Sequence, residues 1–202
     1  MLVTLNVARN RIDSKFPQRL NRLKSLHSIN VAHNMIRGQI PSELADIVEL
    51  SNVQLQYNSL YGSIPSVFGR CRVLTTFDVS SNRLTGYIPS TFGDLILLED
   101  FRVANNALQG KIPSELGKLT SLKHRLDLSG NRFFGEIPAT LGNLNAIGII
   151  DLSGNLLSGQ LPESIGSCSS LRKISIAGNG ITGNIPAGWF ASYAFLQVFF
   201  QK

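Results

Sequence analysis

The sequence is poor in cysteine, in charge and in long apolar stretches, and each shortage excludes a class of protein. Two cysteines in 202 residues are too few for a disulfide-dense scaffold. No window of about eighteen residues is both apolar and uncharged, so we expect no transmembrane helix. Arg9 comes before any apolar stretch has formed, so we expect no secretory signal peptide. No Asn-x-Ser/Thr acceptor for N-linked glycans occurs either.

The net charge of +6 does not indicate nucleic-acid binding. Residues 1–25 hold six basic residues and one acidic residue, so most of the excess charge lies at one end. A surface that follows phosphates would run along one face with interleaved aromatic residues, and this pattern does not occur. We therefore expect no nucleic-acid partner. The six basic residues are Arg9, Arg11, Lys15, Arg19, Arg22 and Lys24.

What the sequence does contain is an internal repeat of 24 or 25 residues. Every proline of the chain lies seven residues after one of eight recurring asparagines, and seven of the eight repeats have glycine four residues after the asparagine. Repetition at such a period is typical of solenoids, in which each unit buries its apolar face against the next. The recurring asparagines are Asn10, Asn34, Asn58, Asn82, Asn106, Asn131, Asn155 and Asn179.

The apolar residues of each repeat alternate, as in Leu5 and Val7 or Phe77 and Val79, five and three residues before the asparagine. Period-two alternation predicts a strand with one buried face. Proline has a fixed φ and no N–H, so the opposite side of each coil should contain short extended or 3₁₀ segments. The asparagine amides should satisfy backbone groups of neighbouring coils and form an internal structural ladder. One repeat has an extra residue within 122–126, which predicts a bulge before the sixth strand.

The pattern LxxLxxLxLxxNxLxGxIPxxLGxL, present here as LTTFDVSSNRLTGYIPSTFGDL, resembles the plant-type leucine-rich repeat. It is similar to the extracellular domains of plant receptor-like kinases and receptor-like proteins. The resemblance implies a solenoid of the α/β horseshoe class, wound as a right-handed superhelical arc with a parallel sheet on its concave side. A second, shorter set of strands should lie near the xxGxIP segment. It also implies a location on the extracellular face of the plasma membrane or in the apoplast.

The domain organisation predicted from the repeat is one array over residues 1–202, with eight repeats and a partial ninth at about 192–202. Phe195, Val198 and Phe200 fit the apolar positions of that ninth repeat. The flanking cysteine-containing caps of the family, a transmembrane segment and a kinase domain are not found in this sequence. We therefore expect the chain to correspond to part of a longer array.

Nothing in the sequence indicates catalysis, a metal site or a cofactor. Gly178, Gly180 and Gly183 match a dinucleotide-binding spacing, but Pro186 and the repeat turn follow where that site needs a helix. Cys71 and Cys168 hold the same position four repeats apart, about 20 Å at the spacing of strands, so we expect two small buried hydrophobic residues and no disulfide. The three histidines are scattered and are interpreted as surface residues.

Side chains that point outward from the third to fifth repeats are the candidate ligand-binding residues. Exposed tyrosines beside amides and an arginine are residue types that dominate binding hot spots. Two of the tyrosines, Tyr61 and Tyr87, lie on the flank, where shielding of the flanking strands is an equally good interpretation. Asp78, Arg102 and Asp127 can pair across strands, the alternative being a solvated ladder of weak ion pairs. The candidates are Asn52, Gln54, Gln56, Tyr57, Tyr61, Asp78, Tyr87, Asp100 and Arg102.

Three functions fit these observations. The first is a ligand-recognition module, like the sensing domain of a plant receptor-like kinase, that binds a peptide, a microbial molecule or a co-receptor ectodomain. The second is a secreted inhibitor of a foreign enzyme, like the plant proteins that block pectin-degrading enzymes. The third is a truncated product without a function of its own. None of the three is an enzyme, and none needs direct contact between this segment and the membrane.

Overall fold

The strands predicted from the alternating apolar residues form one parallel sheet, which we call the main sheet. The computed structural model describes residues 2–17, 19–192 and 197–199. Each strand pairs in register with the strand one repeat later, for example Leu5 with Ile29 and Phe77 with Phe101. In order, its nine strands are β1 (Thr4–Asn6), β2 (Ser28–Asn30), β4 (Asn52–Gln54), β6 (Thr76–Asp78), β8 (Asp100–Arg102), β10 (Arg125–Asp127), β12 (Ile149–Asp151), β14 (Lys173–Ser175) and β16 (Gln197–Phe199).

The ninth of these strands falls in the predicted partial repeat at 192–202. Its backbone pairs in parallel with β14, so the chain continues the array past Asn179. The other apolar positions predicted for this repeat, Phe195 and Phe200, lie outside the described residues.

A second parallel sheet runs beside the main sheet, as the resemblance implies. Its strands end at or near the recurring glycine, which has positive φ, for example 82° at Gly62 and 92° at Gly110. Residues with a side chain rarely adopt this backbone conformation, which explains the glycine at this position. The strands are β3 (Arg37–Gly38), β5 (Ser59–Gly62), β7 (Arg83–Gly86), β9 (Ala107–Gly110), β11 (Arg132–Gly135), β13 (Leu156–Gly159) and β15 (Gly180–Ile181).

Short 3₁₀ helices occupy the side of each coil opposite the main sheet, and the recurring prolines start most of them. Pro65 and Pro113, for example, are N-cap residues with φ of −65° and −63°. One α-helix, α1 (Ala187–Ser192), closes the eighth coil and is shorter than two turns, as the sequence predicts. The 3₁₀ helices are Leu20–Arg22, Ser42–Asp46, Ser66–Arg70, Ser90–Asp94, Ser114–Lys118, Ala139–Asn143 and Glu163–Ser167.

The asparagine ladder links successive coils. Asn106 is representative: its Oδ1 accepts from Leu84 N–H at 2.9 Å, and its Nδ2 lies 3.1 Å from each of the carbonyl oxygens of Val79, Val103 and Ala104. Two of these partners, Leu84 and Val79, belong to the preceding coil. Each such amide therefore satisfies backbone groups of two coils at once.

The first member of the ladder departs from the prediction that all eight amides are buried. Asn10 is exposed, and its Nδ2 donates to Val7 O and Ala8 O within its own coil. In the described part of the chain no coil precedes it, so it has no neighbour to cover or bridge. Burial of the ladder therefore depends on stacking from both sides.

Aliphatic and aromatic side chains from all three sides of the coils fill a continuous core. Beneath the middle of the main sheet, four phenylalanine rings lie with centroids 5.1–6.1 Å apart. They are Phe68, Phe77, Phe92 and Phe101, all fully buried. Aromatic rings attract one another at these separations, and close-packed side chains have little room to move. We therefore expect the cluster to hold β6 and β8 rigidly.

The extra residue of the sixth repeat is accommodated where the sequence predicts a bulge. His124 forms a bend immediately before β10. Both Lys123 N–H and His124 N–H donate to Glu99 O, and Arg125 then pairs in register with Asp100. The insertion is thus absorbed before the strand, and the outward face of the main sheet is undisturbed.

Both cysteines are buried thiols, as predicted. Burial raises the pKa of the Cys71 thiol to about 11, with a contribution from Asp46, and burial likewise raises the pKa of the Cys168 thiol to about 11. Because the thiolate is the reactive form, we expect neither cysteine to react with Ellman's reagent in the native protein at about pH 8, and both to react in guanidinium chloride. Rapid reaction of the native protein would contradict this burial.

Candidate ligand-binding surface of the main sheet

Two rows of side chains cross the middle of the main sheet on the face away from the core. Gln54 is the register partner of Asp78, and Asp78 is the partner of Arg102. Side chains two residues apart on a strand point to the same face. A second row therefore runs parallel to the first, two residues earlier on the same strands. It consists of Asn52, Thr76 and Asp100.

Most residues in the position of Asp78 are engaged by the turn that follows their strand. In each case the side-chain Oδ1 accepts a hydrogen bond from the backbone N–H two residues later, at 2.9–3.2 Å. Such Asx turns hold the backbone in place. The residues that form them are Asn6, Asn30, Asp78, Asp127 and Asp151.

Gln54 and Arg102 occupy this same position but do not form the turn. A glutamine side chain is one carbon too long for it, and an arginine has no acceptor. The third and fifth repeats therefore place side chains here that the turn does not use. Gln54 and Arg102 therefore differ from the Asn and Asp residues that form Asx turns at this position of the main sheet.

Arg102 binds its neighbour on the same strand. Its Nε and Nη2 lie 2.8 and 2.6 Å from the two carboxylate oxygens of Asp100, a bidentate pair whose acid is largely buried. Burial lowers the pKa of Arg102, but the hydrogen bond to Asp100 and the carboxylates of Asp100, Asp78 and Asp127 outweigh it, so that the pKa is raised. The arginine thus keeps its charge while three acidic groups surround it.

Among the described residues, Arg102 forms its ion pair with Asp100 and none in direct contact with Asp78 or Asp127, whose carboxylates act on it across strands only through their charge. Asp100 lies on the same face two residues away and offers both oxygens, whereas the turns already hold Asp78 and Asp127. The alternative interpretation, a solvated ladder of weak ion pairs, does not fit either, because Asp78 is only 7% exposed and Asp127 only 9% exposed. Burial raises the pKa of Asp78, although hydrogen bonds from Ser80 and the charge of Arg102 oppose it. Asp78 is therefore chiefly structural.

Two amide oxygens of the third repeat lie beneath this surface without a partner in the described part of the chain. Asn52 Oδ1 and Gln56 Oε1 are buried atoms that find no hydrogen-bond partner among the described residues. A buried acceptor without a partner is unfavourable by about 1–3 kcal/mol. Because neither atom reaches solvent, a ligand N–H or O–H group can bond to either one only after its side chain rotates outward.

The three tyrosines of the predicted site do not lie together. Tyr57 follows β4 in the turn beside the main sheet, is 53% exposed, and stacks on the ring of His33 with centroids 4.3 Å apart. Tyr61 lies in β5, on the second sheet. Tyr87 follows β7, and its ring lies directly over Gly110 of the next repeat, where an added Cβ would collide with it. Tyr87 therefore shields the second sheet, and neither Tyr61 nor Tyr87 belongs to the face that holds Gln54 and Arg102.

His33 is the residue of this surface that sequence reasoning missed. The sequence indicates only a surface histidine without metal-ligand spacing to the others, and His33 is indeed exposed. Its ring contact with Tyr57 arises only because both residues hold the same position in successive repeats, one residue before the ladder asparagine. A search of that position across repeats for aromatic rings would have found the pair.

The described residues contain no helix long and apolar enough to cross a membrane and no group of three or more metal-ligating side chains. Family models described as leucine-rich repeats match residues 72–133 and, separately, residues 25–47, 124–144 and 147–168. The chain belongs to the leucine-rich-repeat family. No curated protein matches its sequence.

Solved structures similar to this leucine-rich-repeat chain include ectodomains of plant receptor kinases. The ectodomain of GASSHO1/SCHENGEN3 from Arabidopsis thaliana, in complex with CASPARIAN STRIP INTEGRITY FACTOR 2, is 31% identical over 98% of this chain, with a TM-score of 0.92. PEPR1–AtPEP1 is 38% identical over 92% of the chain, with a TM-score of 0.88. The Arabidopsis receptor kinase HAESA, in complex with the peptide hormone IDA and the co-receptor SERK1, is 27% identical over 98% of the chain, with a TM-score of 0.74. The chain covers 24%, 26% and 38% of the lengths of these three chains.

Proposed function

We propose that this chain is part of the extracellular recognition domain of a plant receptor of the receptor-kinase type, and that it binds a peptide across the middle of its main sheet. The observation that carries the proposal is the departure of Gln54 and Arg102 from the Asx turns of their position. Neither side chain forms the hydrogen bond to the backbone N–H two residues later, so neither helps to hold the turn of its own repeat. A role toward a ligand accounts for both.

The surroundings of these two residues suit a peptide. Gln54 can donate to and accept from a peptide backbone, and the charged Arg102–Asp100 pair can orient a polar or charged group. Asn52 and Gln56 can supply further acceptors once their side chains rotate outward, since their amide oxygens are buried without a partner among the residues that the structure describes. The phenylalanine cluster under β6 and β8 holds these strands rigidly, which limits the entropy lost when a peptide is bound. The receptor ectodomains described above, with their peptide and co-receptor partners, support the same proposal by similarity.

The proposal predicts that peptides selected on this protein depend on Gln54 and Arg102. A random 12-residue peptide library displayed on phage would be selected on the immobilised chain, and the enriched peptides measured by isothermal titration. We expect the double variant Gln54→Ala/Arg102→Ala to weaken peptide binding at least about tenfold. A tenfold loss of affinity corresponds to about 1.4 kcal/mol, and removal of hot-spot contacts commonly costs more than this.

A matched control is available on the second sheet, where Gln109 and Arg132 are exposed register partners. The variant Gln109→Ala/Arg132→Ala should leave peptide affinity unchanged. Equal affinities of the wild type and Gln54→Ala/Arg102→Ala, with both folded by circular dichroism, would contradict peptide binding at this surface. If the control variant lost as much peptide affinity as the test variant, the binding site would have to include the second sheet.

A further inference from the structure

The residue before each ladder asparagine has a left-handed backbone in all eight repeats, with φ between 52° and 64°. Residues with a side chain disfavour this conformation, and glycine does not. The last three repeats have glycine here, whereas the first five keep a side chain. The backbone therefore does not need these side chains. The eight residues are Arg9, His33, Tyr57, Ser81, Asn105, Gly130, Gly154 and Gly178.

The side chains of His33 and Tyr57 stack on one another along the axis of the solenoid. The rings of His33 and Tyr57 have centroids 4.3 Å apart and planes 14° from parallel, a separation close to the spacing of neighbouring strands. The next residue in the same series is Ser81, which ends at its hydroxyl group. One face of the Tyr57 ring is covered by His33, and the other borders a residue too short to cover it, in agreement with the 53% exposure of Tyr57.

We propose that the outer face of the Tyr57 ring, above Ser81, is a subsite for an aromatic side chain of a bound peptide, which extends the His33–Tyr57 stack by one ring. This subsite rests on the proposed peptide-binding function, because the peptide must cross this edge of the main sheet. Offset-stacked aromatic rings attract one another beyond the burial of their area.

The exposed ring face sets the chemistry of the ligand side chain. Tryptophan, tyrosine and phenylalanine side chains can all stack on the Tyr57 ring in an offset arrangement. A leucine side chain lacks the ring that this attraction needs. The subsite therefore takes an aromatic side chain.

The test uses N-acetyltryptophanamide as the probe and N-acetylleucinamide as the control, each at millimolar concentration, with NMR detection of backbone amide signals. We expect N-acetyltryptophanamide to shift the signals of Tyr57 and Ser81 through its ring current. N-acetylleucinamide should not do so. Absence of a shift in the wild type, or an equal shift with both compounds, overturns the subsite.

Two variants and a matched control locate the effect. Tyr57→Gly removes the stack while providing the residue that the left-handed backbone favours, so it should remain folded with an unchanged or raised Tm. Ser81→Tyr should fill the subsite with the protein's own ring. We expect the shift to disappear in both variants and to persist in Ser81→Gly. A shift of wild-type size in Tyr57→Gly or in Ser81→Tyr overturns the proposal.

The library-selected peptides distinguish this subsite from peptide binding itself. We expect Tyr57→Gly to weaken the binding of peptides that contain an aromatic residue at least tenfold and to leave the affinity of peptides without aromatic residues unchanged. If Gln54→Ala/Arg102→Ala abolishes binding while Tyr57→Gly has no effect, peptide recognition holds and the aromatic subsite is wrong. If the probe shift is present but Gln54→Ala/Arg102→Ala changes no peptide affinity, the subsite holds and peptide recognition along Gln54 and Arg102 is wrong.

Discussion

Replacing Asn106 by alanine should destabilise the protein by about 1–3 kcal/mol, because it leaves the backbone N–H of the buried residue Leu84 without a partner. Leu84 N–H loses its acceptor. The carbonyl groups of Val79, Val103 and Ala104 each lose one of two donors and keep a bond from Asn82, Asn131 and Ser81, respectively. Two of these groups belong to the preceding coil, so the substitution also weakens the contact between coils. The free energy of unfolding from urea denaturation, followed by circular dichroism, measures the effect.

The chain supplies a control for this substitution in its own first repeat. Asn10 is exposed and bonds only within its own coil, so Asn10→Ala should cost less than Asn106→Ala by at least about 1 kcal/mol, because exposed groups exchange one partner for water. Equal losses of stability in the two variants would show that the bridge between coils contributes nothing to the effect of the asparagine.

Replacing Gly93 by alanine should separate two neighbouring 3₁₀ helices and destabilise the protein by about 1–3 kcal/mol, the usual range for overpacking. An added Cβ at Gly93 would lie 2.5 Å from the carbonyl oxygen of Glu115 and 2.7 Å from its Cβ. Because the nearest atom is backbone, a side-chain rotation cannot relieve the overlap. Ala45 holds the equivalent position of the second repeat, and its 3₁₀ helix packs less closely on the next one, Ser66–Arg70, than the 3₁₀ helices farther along the chain pack on each other.

Gly188→Ala provides the comparison for Gly93→Ala. Among the described residues, an added Cβ at Gly188 would meet the side chain of Glu163, at 3.7 Å, and alanine favours the helix α1 in which this residue lies. We expect the Tm of Gly188→Ala to equal or exceed that of the wild type, whereas the Tm of Gly93→Ala falls. An unchanged Tm for Gly93→Ala would mean that the two coils can move apart without loss of stability.

The candidate site was predictable from the sequence only in part. Gln54, Arg102 and Tyr57 could be found because they depart from the residues common at their positions of the repeat, and the structure places all three beside or on the main sheet. Asp78 could not be separated from them by residue type, since an acid in this position serves equally a ligand or an Asx turn. The turn contact depends on the distance from Asp78 Oδ1 to Ser80 N–H, which follows from the folded backbone.

The periodicity of the sequence by itself determined the stacked parallel strands, the 3₁₀ segments after the prolines and the ladder from Asn34 to Asn179. The reason is that a fixed period places the same residue types on the same side of every coil, and each apolar position has only the next coil to pack against. Only the tertiary structure decided which polar groups the fold uses. Asn10 is exposed because no described coil covers it, Arg102 binds Asp100 because they share a face of one strand, and His33 meets Tyr57 because stacking brings equivalent positions together. Each of these outcomes depends on distances between coils, which a one-dimensional repeat does not contain.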